Sequence, residues 1–182
     1  MSTRIAILAL AASVITLGGC GGSTSPEKSQ ATGGALISDA QGLADFKSAI
    51  RAKYDLKEKA FAEENAEAIV TKFYTEDVIT AAVGDKVYHG RSEIRPQYEA
   101  HVKGNHVKIE SIDSFVAGDA GWDWADFHVY PTDGKTPPYT FAILFLWAKI
   151  NGEWMCKGDY FTVGSFREGK LPTPPATPTT PK

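Results

Sequence analysis

The sequence predicts an α+β domain in which helices come first along the chain and an antiparallel sheet follows. Up to about Val102, apolar residues recur every three or four positions, a period typical of amphipathic helices. From His106 onward the period changes to two, which is typical of strands. The pair Asn151 and Gly152 separates two of these apolar runs and favours a tight β-hairpin turn.

Three helices are predicted in the first part of the domain. Residues 38–41, SDAQ, resemble a capping box, and Asn65 and Ser92 stand where a second and a third helix begin. Pro96 falls early enough in the third helix to be tolerated. The apolar face of the first helix repeats at Leu43, Phe46, Ile50 and Tyr54.

The sheet is predicted from a short hairpin and four longer strands. The hairpin joins 78–83 to 86–89, and the strands follow at 107–116, 121–130, 139–150 and 154–163. The segment 139–150, YTFAILFLWAKI, is apolar on both faces. Both faces of the sheet are therefore expected to be covered there, one by the helices and the other by a second copy of the chain.

The first twenty residues predict an export signal. The apolar run at 5–17 follows a basic residue and is shorter than the roughly 20 apolar residues that span a bilayer. The sequence LGGC at 17–20 resembles the lipobox of bacterial lipoprotein precursors, which implies lipid on Cys20 and anchoring in a membrane. The alternative is an ordinary signal peptide, cleaved near Gly19, with an incidental cysteine. Because Gly21 and Gly22 are not aspartate, the lipoprotein resemblance implies the outer membrane of a bacterial envelope, facing the periplasm.

The predicted organisation has four parts: a signal peptide at 1–19, a polar tether at 20–37, one domain at 38–166 and a Pro/Thr-rich tail at 167–182. If Cys20 carries lipid, the second cysteine has no partner for a disulfide. The formal net charge is −3 and the sequence has no basic stretch, which argues against a nucleic-acid partner.

Four segments of the domain resemble one superfamily of known proteins. They are FAEENAEAIVTKFYTEDVI, YHGRSEIRPQY, GDAGW and INGEWMCKGDYFT, in that order along the chain. Together they are similar to the SnoaL-like and ketosteroid-isomerase-like families of the nuclear-transport-factor-2-like superfamily. The resemblance implies a curved sheet wrapped around helices, a conical pocket (a cystatin-like roll) and a homodimer through the back of the sheet.

The resemblance and strand alternation together predict which side chains enter the pocket. They are Trp122, Trp124, Asp126 and His128 on one strand, Met155, Lys157, Asp159 and Phe161 on the last, and Thr140, Ala142, Leu144, Leu146 and Ala148 between them. The opposite face is predicted to carry Phe127, Val129, Phe141, Ile143, Phe145, Trp147, Trp154 and Tyr160, with Cys156 as a small buried side chain on that face.

The chemistry implied by the resemblance depends on which family is matched. The three groups of ketosteroid isomerases are lost, since the matching positions hold Ala82, about Lys57, and Leu144 or Leu146. Of the groups of limonene-epoxide hydrolases, only the two carboxylates survive, at Asp126 and Asp159.

SnoaL-like cyclases rely on one aspartate that acts on an acidic C–H bond, and Asp159 is similarly placed. His128 or Lys157 is then expected to stabilise the developing enolate. The alternative is that Asp159 only pairs with Lys157 or His128 in a polar cluster. Asp126 and His128 lack a third ligand at recognisable spacing, so no metal is predicted, and no cofactor is predicted either.

Three functions therefore remain open. The first is binding of a small apolar or aromatic molecule, the second an enzyme with Asp159, Asp126 and His128 as catalytic residues, and the third a dimeric assembly domain with a filled pocket. The residues predicted to contact the bound molecule are Trp122, Trp124, Thr140, Leu144, Lys157 and Phe161.

Overall fold

A computed structural model describes residues 40–167 of the chain. The predicted signal segment, the lipid site Cys20, the tether at 20–37 and the tail from 168 onward lie outside the described residues. Within the described range, no helix is both long enough and apolar enough to cross a membrane.

Three helices cover one face of the sheet, and they are α1 (Ala40–Ala62), α2 (Ala66–Lys72) and α3 (Gly90–His101). Asn65 caps α2 as predicted, because its side-chain oxygen accepts a hydrogen bond from the Ala68 amide at 3.0 Å. Helix α3 begins two residues before the predicted Ser92 and contains Pro96.

Six strands form one curved, unclosed sheet in the order β2-β1-β6-β5-β4-β3. The strands are β1 (Tyr74–Ala82), β2 (Tyr88–His89), β3 (Asn105–Ala117), β4 (Ala120–Pro131), β5 (Tyr139–Ile150) and β6 (Glu153–Val163). All neighbours are antiparallel except β1 and β6, which run parallel. The α+β class predicted from the sequence is confirmed.

Helix α1 fixes which face of the sheet is concave. Tyr54 of α1 donates a hydrogen bond to Asp123 of β4 at 2.6 Å, and Phe61 of α1 contacts Phe127 of β4 at 5.8 Å between ring centroids. On β5, Phe145 and Trp147 lie 5.4 Å and 5.9 Å from the Tyr54 ring. The odd-numbered residues of both strands therefore face α1.

The predicted orientation of β4 and β5 is wrong for this reason. The even-numbered side chains predicted to enter the pocket lie on the convex face instead: Trp122, Trp124, Asp126 and His128 on β4, and Thr140, Ala142, Leu144, Leu146 and Ala148 on β5. Alternation shows that a strand has two faces, and it names the inner one only when the other face is polar. Here both faces carry large apolar side chains.

Strand β6 changes its facing at a β-bulge. Leu146 pairs with Gly158, but the next residue, Trp147, pairs with Cys156, so Lys157 is an extra residue in the strand. Cys156, predicted for the back of the sheet, is therefore buried on the concave side, as is Trp154, whose ring lies 4.8 Å from Phe46 of α1. Beyond the bulge, Asp159 and Phe161 face inward.

Candidate functional site

A cavity of about 120 Å³ lies between α1, α3 and the concave face of the sheet. Its walls are mainly aromatic and aliphatic, and its polar groups come from α1, α3, β3 and β6. The lining residues are Lys57, Phe61, Tyr98, His101, Asn105, Phe127, Val129, Tyr139, Phe141, Ile143, Asp159 and Phe161.

Four polar side chains meet at the inner end of this cavity, and we call Lys57, Tyr74, Tyr98 and Asp159 the Tyr74 cluster. The Lys57 ammonium donates to the Tyr74 hydroxyl at 2.8 Å, and that hydroxyl donates to Asp159 Oδ2 at 2.6 Å. The hydroxyl oxygens of Tyr74 and Tyr98 lie 2.6 Å apart. Tyr74 has one proton to donate, so its bond to Asp159 implies that Tyr98 donates to it.

Lys57 is buried among aromatic rings. Its side chain is 2% exposed, and its Nζ lies 4.3 Å from the centroid of the Phe73 ring and 5.4 Å from that of Phe127. Burial lowers the pKa of Lys57 to about 8, while the nearby Asp159 carboxylate acts in the opposite direction. With that pKa, roughly a tenth of the amine is neutral at pH 7, and the rest is charged.

Asp159 is buried at the same end of the cavity. Burial raises the pKa of its carboxyl above the usual value, and Lys57 and the hydroxyls of Tyr74 and Thr80 oppose that shift. Among the described residues, no hydrogen bond of good geometry reaches Asp159 Oδ1, although the Thr80 hydroxyl, directly opposite on β1, is close enough to affect the carboxyl and also has no partner of good geometry. A buried oxygen without a partner is costly, so this atom is suited to receive a polar group from a bound molecule.

The local sequence explains how these groups meet. Lys57 and Phe61 are four residues apart on α1, so both point to the same side of the helix. Tyr74 is the first residue of β1, and the bulge at Lys157 turns Asp159 inward. Lys57 and Tyr74 were not predicted as site residues, although a lysine in line with the apolar face of α1 is an available signal.

The aromatic residues predicted as pocket walls belong to another part of the molecule. On the convex face, Trp122 stacks on Phe115 with 5.8 Å between ring centroids, and Trp124 contacts Phe166 at 5.2 Å. Asp126 accepts hydrogen bonds from the Ser165 hydroxyl at 2.6 Å and the Phe166 amide at 2.8 Å. Asp126 thus fastens residues 165–167 to the sheet.

The remaining predicted residues also lie away from the cavity, with one exception. His128 Nδ1 lies 2.8 Å from Thr140 Oγ1, and burial lowers the pKa of that histidine. Lys157 pairs with Asp77 on the exposed side of β1. Leu144 faces the convex side of β5, whereas Phe161 lines the cavity.

The shared hollow predicted for the Trp122 and Trp124 indoles with Asp126 and Asp159 is therefore not what the structure has. Asp159 also forms no ion pair with Lys157 or His128. It accepts a hydrogen bond from the Tyr74 hydroxyl instead. Within residues 40–167, no three His, Cys, Asp or Glu side chains are arranged to hold a metal ion.

No protein-family model matches the chain, and no curated protein sequence matches it significantly. Solved structures do match.

A ketosteroid isomerase-like protein from Erwinia carotovora atroseptica SCRI1043 is 18% identical, with a TM-score of 0.54 over 65% of this chain and 95% of that one. A nuclear-transport-factor-2-like protein with a cystatin-like fold from Novosphingobium aromaticivorans is 17% identical, with a TM-score of 0.57 over 72% of this chain and 94% of that one. A putative calcium/calmodulin-dependent protein kinase II association domain from Xanthomonas campestris is 17% identical, with a TM-score of 0.50 over 65% and 87%.

These matches define the class of protein at the level of fold. The chain has the nuclear-transport-factor-2-like, cystatin-like fold that the resemblance implied. Since that fold carries many unrelated functions, the function has to be argued from the cavity.

Proposed function

We propose that this protein binds a small, mainly apolar molecule in the cavity, with the polar end of that molecule against the Tyr74 cluster. The observation that carries the proposal is the pairing of aromatic walls with Asp159 Oδ1, which has no hydrogen-bond partner among the described residues. Binding sites for small molecules typically combine an apolar wall with a few placed polar groups. An open cavity favours this function over an assembly domain with a filled pocket.

The size of the cavity sets the size of the molecule. Drug-sized ligands occupy roughly 300–1,000 Å³, whereas an apolar cavity of about 150 Å³ binds benzene. At about 120 Å³, this cavity suits a molecule of about one ring or a short chain. A sterol is too large for it.

Calorimetric titration with benzyl alcohol tests the proposal. Benzyl alcohol has one ring and a hydroxyl that can donate to Asp159 Oδ1, whereas toluene has the ring alone. We expect Asp159→Leu to weaken benzyl alcohol binding by about tenfold or more, because a hydrogen bond to a charged group contributes roughly 1.5–3 kcal/mol.

The matched control is Asp126→Leu, which removes a buried carboxylate from the convex face and should leave the affinity unchanged. Equal loss in both variants, or no binding of either probe by the unaltered protein, contradicts the proposal.

A second candidate function is proton transfer to or from the bound molecule by Asp159. It is favoured by the raised pKa of that carboxyl together with its unpaired Oδ1. Asp126 and His128 lie on the convex face, so they take no part in this version of the enzyme hypothesis.

Exchange of the acidic C–H hydrogens of cyclopentanone in D₂O, followed by NMR, tests proton transfer by Asp159. The Asp159→Asn variant should slow the exchange to the rate measured without protein.

We also propose that the chain is anchored by lipid on Cys20 at the outer membrane of a bacterial envelope and pairs with a second copy through the convex face. The lipobox-like sequence supports the anchor. Three apolar side chains in direct register support the pairing, namely Trp124, Leu144 and Tyr160 on neighbouring strands.

A further inference from the structure

Lys57 is held differently from the other buried lysine of α1. Lys53 Nζ donates to the Lys72 carbonyl at 2.7 Å and to Glu153 at 2.6 Å, so its charge has a carboxylate partner. Within residues 40–167, the hydrogen-bond acceptor of Lys57 Nζ is one neutral hydroxyl, that of Tyr74. Lys53 is a structural ion pair, whereas Lys57 lines the cavity and, among the described residues, has no carboxylate in direct contact with its Nζ.

The surroundings of Lys57 meet the requirements of an amine nucleophile. The amine needs a neutral form, a dry site and a group that carries protons. Aromatic rings surround Nζ, with centroids at 4.3 Å for Phe73, 5.0 Å for Tyr98 and 5.3 Å for Phe145. The Asp159 carboxyl reaches the same amine through the Tyr74 hydroxyl.

We propose that Lys57 captures a small aldehyde or ketone in the cavity as an imine. This inference rests on the proposed function, since the carbonyl compound must first occupy the same cavity. It names the substrate class of that site, a carbonyl compound of about one ring.

The reaction is a condensation that releases one molecule of water. The lone pair of the neutral Lys57 amine forms a bond to the carbonyl carbon, and the C=O π electrons move to oxygen, which takes a proton from the Asp159 carboxyl. The Tyr74 hydroxyl passes a proton of the nitrogen back to Asp159. A second proton transfer from Asp159 to the oxygen lets water leave as the C=N bond forms, which gives a protonated imine beside the Asp159 carboxylate. The remaining N–H proton returns to that carboxylate through the Tyr74 hydroxyl to give the neutral imine, and no oxidant or reductant is consumed.

The lowered pKa of Lys57, about 8, supports this chemistry. At pH 7 the neutral fraction of such an amine is roughly two hundred times that of a lysine with the usual pKa near 10.4. Since a weaker base is also a weaker nucleophile, the net preference is smaller than this ratio.

Reductive trapping tests the inference. The full chain is incubated at pH 7 with benzaldehyde and cyanoborohydride, which reduces an imine to a stable benzyl amine, and peptide mass mapping locates the label. We expect Lys57 to be labelled about tenfold faster than the exposed Lys103 and Lys135. Labelling of Lys57 at or below the rate of those two lysines overturns the inference.

Competition by benzyl alcohol, together with its binding measured by calorimetry, separates failure of the inference from failure of the proposed function. Benzyl alcohol, which occupies the cavity without a carbonyl group, should slow labelling of Lys57 and leave Lys103 unaffected. If benzyl alcohol binds but Lys57 is not labelled, the inference is wrong and the proposed function stands. If benzyl alcohol does not bind and benzaldehyde does not label Lys57, the inference and the proposed function are both wrong.

Substitution of the lysine completes the test. Lys57→Met should lose the fast label, and Lys53→Met should keep it, because Lys53 does not line the cavity. If Lys57→Met does not fold, peptide mapping of the unaltered chain decides the question alone. Fast labelling that persists in a folded Lys57→Met variant contradicts the assignment.

Discussion

At the scale of single residues, the site depends on two ionisable groups whose pKa values burial shifts in opposite directions. Burial favours the neutral acid at Asp159 and the neutral amine at Lys57, while each charge favours the other. Tyr74 lies between them and hydrogen-bonds to both. Perturbed ionisable groups of this kind are typical of functional sites, which is consistent with the proposed function.

The depressed pKa of Lys57 predicts a pH-dependent stability. Its pKa is about 8 in the folded chain and near the usual lysine value of about 10.4 when unfolded, so the unfolded state holds the proton to higher pH. The free energy of unfolding should therefore rise with pH above 8, by about 2 kcal/mol between pH 7 and pH 9.5. Urea unfolding of the unaltered chain and of Lys57→Met measures this.

The difference between the unfolding free energies of the two chains at each pH reports the contribution of Lys57 alone. Contributions from the titratable groups that face it are present in both chains. These groups are Tyr74, Tyr98, His101, Cys156 and Asp159. The Lys57→Met variant should lack the rise above pH 8. A parallel pH profile in both chains contradicts a buried, depressed Lys57.

Tyr74→Phe should be more costly than Tyr98→Phe. Removing the Tyr74 hydroxyl takes a hydrogen-bond partner from both Lys57 and Asp159, which are buried, and unsatisfied buried groups cost about 1–3 kcal/mol each. Tyr98 bonds only to Tyr74 within the cluster, so its loss should cost about 1 kcal/mol. Denaturant midpoints give the comparison, provided that the unfolding free energy depends equally on denaturant concentration in the two variants. Equal losses of unfolding free energy would argue against Tyr74 as the centre of the cluster.

At the scale of elements, the sequence was sufficient to predict the fold class and the order and number of the helices and long strands. It was not sufficient to predict which face of the sheet is the concave one. Periodicity reports the type of an element, and β4 and β5 have large apolar residues at both odd and even positions. Only the contacts of α1, such as Phe61 with Phe127, distinguish the two faces. These contacts are tertiary, so no local pattern contains them.

The β6 bulge is the second feature that local pattern does not show. Strict alternation through Lys157 predicts one facing for the whole strand, and the extra residue reverses it between Cys156 and Asp159. The same alternation that predicted inward side chains at Asp159 and Phe161 also predicted one at Lys157, which instead pairs with Asp77 on the exposed side of β1. Lys57 and Tyr74 were missed because they come from α1 and β1, away from the strands considered.

Gly158, next to the bulge, should not tolerate a side chain. A Cβ there would lie 2.9 Å from the Ile79 carbonyl oxygen, a backbone atom of the neighbouring strand β1. Gly158→Ala should therefore separate β1 from β6 and destabilise the fold by about 1–3 kcal/mol. Thr162→Ala, at an exposed position of the same strand, is the control for thermal unfolding, and equal melting temperatures would contradict the close approach.

At the scale of the whole molecule, the convex face has the composition of an interface. Several large apolar side chains there are substantially exposed, among them Trp124 at 36%, Leu146 at 46% and Tyr160 at 50%. Large contiguous apolar patches on soluble proteins commonly mark interaction sites. A two-fold pairing of this face with a second copy of the chain would cover it.

Tyr160→Glu should shift the chain from dimer to monomer, because two buried carboxylates would face one apolar surface. Val87→Glu changes an equally apolar exposed position outside the long strands and should leave the dimer intact. Sedimentation velocity at several concentrations measures both. A monomeric unaltered chain at all concentrations contradicts the pairing.

The proposed lipid anchor is tested by mass spectrometry and cell fractionation. Chain produced in a Gram-negative host should lose residues 1–19 and gain diacylglycerol and an acyl group at Cys20, and it should fractionate with the outer membrane. Cys20→Ala should remain unacylated and leave the membrane fraction. Cleavage at Gly19 without lipid indicates an ordinary signal peptide.

The central claim is that the concave cavity, and not the tryptophan-bearing convex face, receives the small molecule. NMR titration of the methyl and indole resonances with benzyl alcohol tests it most directly. We expect saturable shifts at the methyl groups of Val129 and Ile143, with the indole N–H signals of Trp122 and Trp124 unchanged. Saturable shifts at those two indoles, with the cavity methyl groups unaffected, would contradict it.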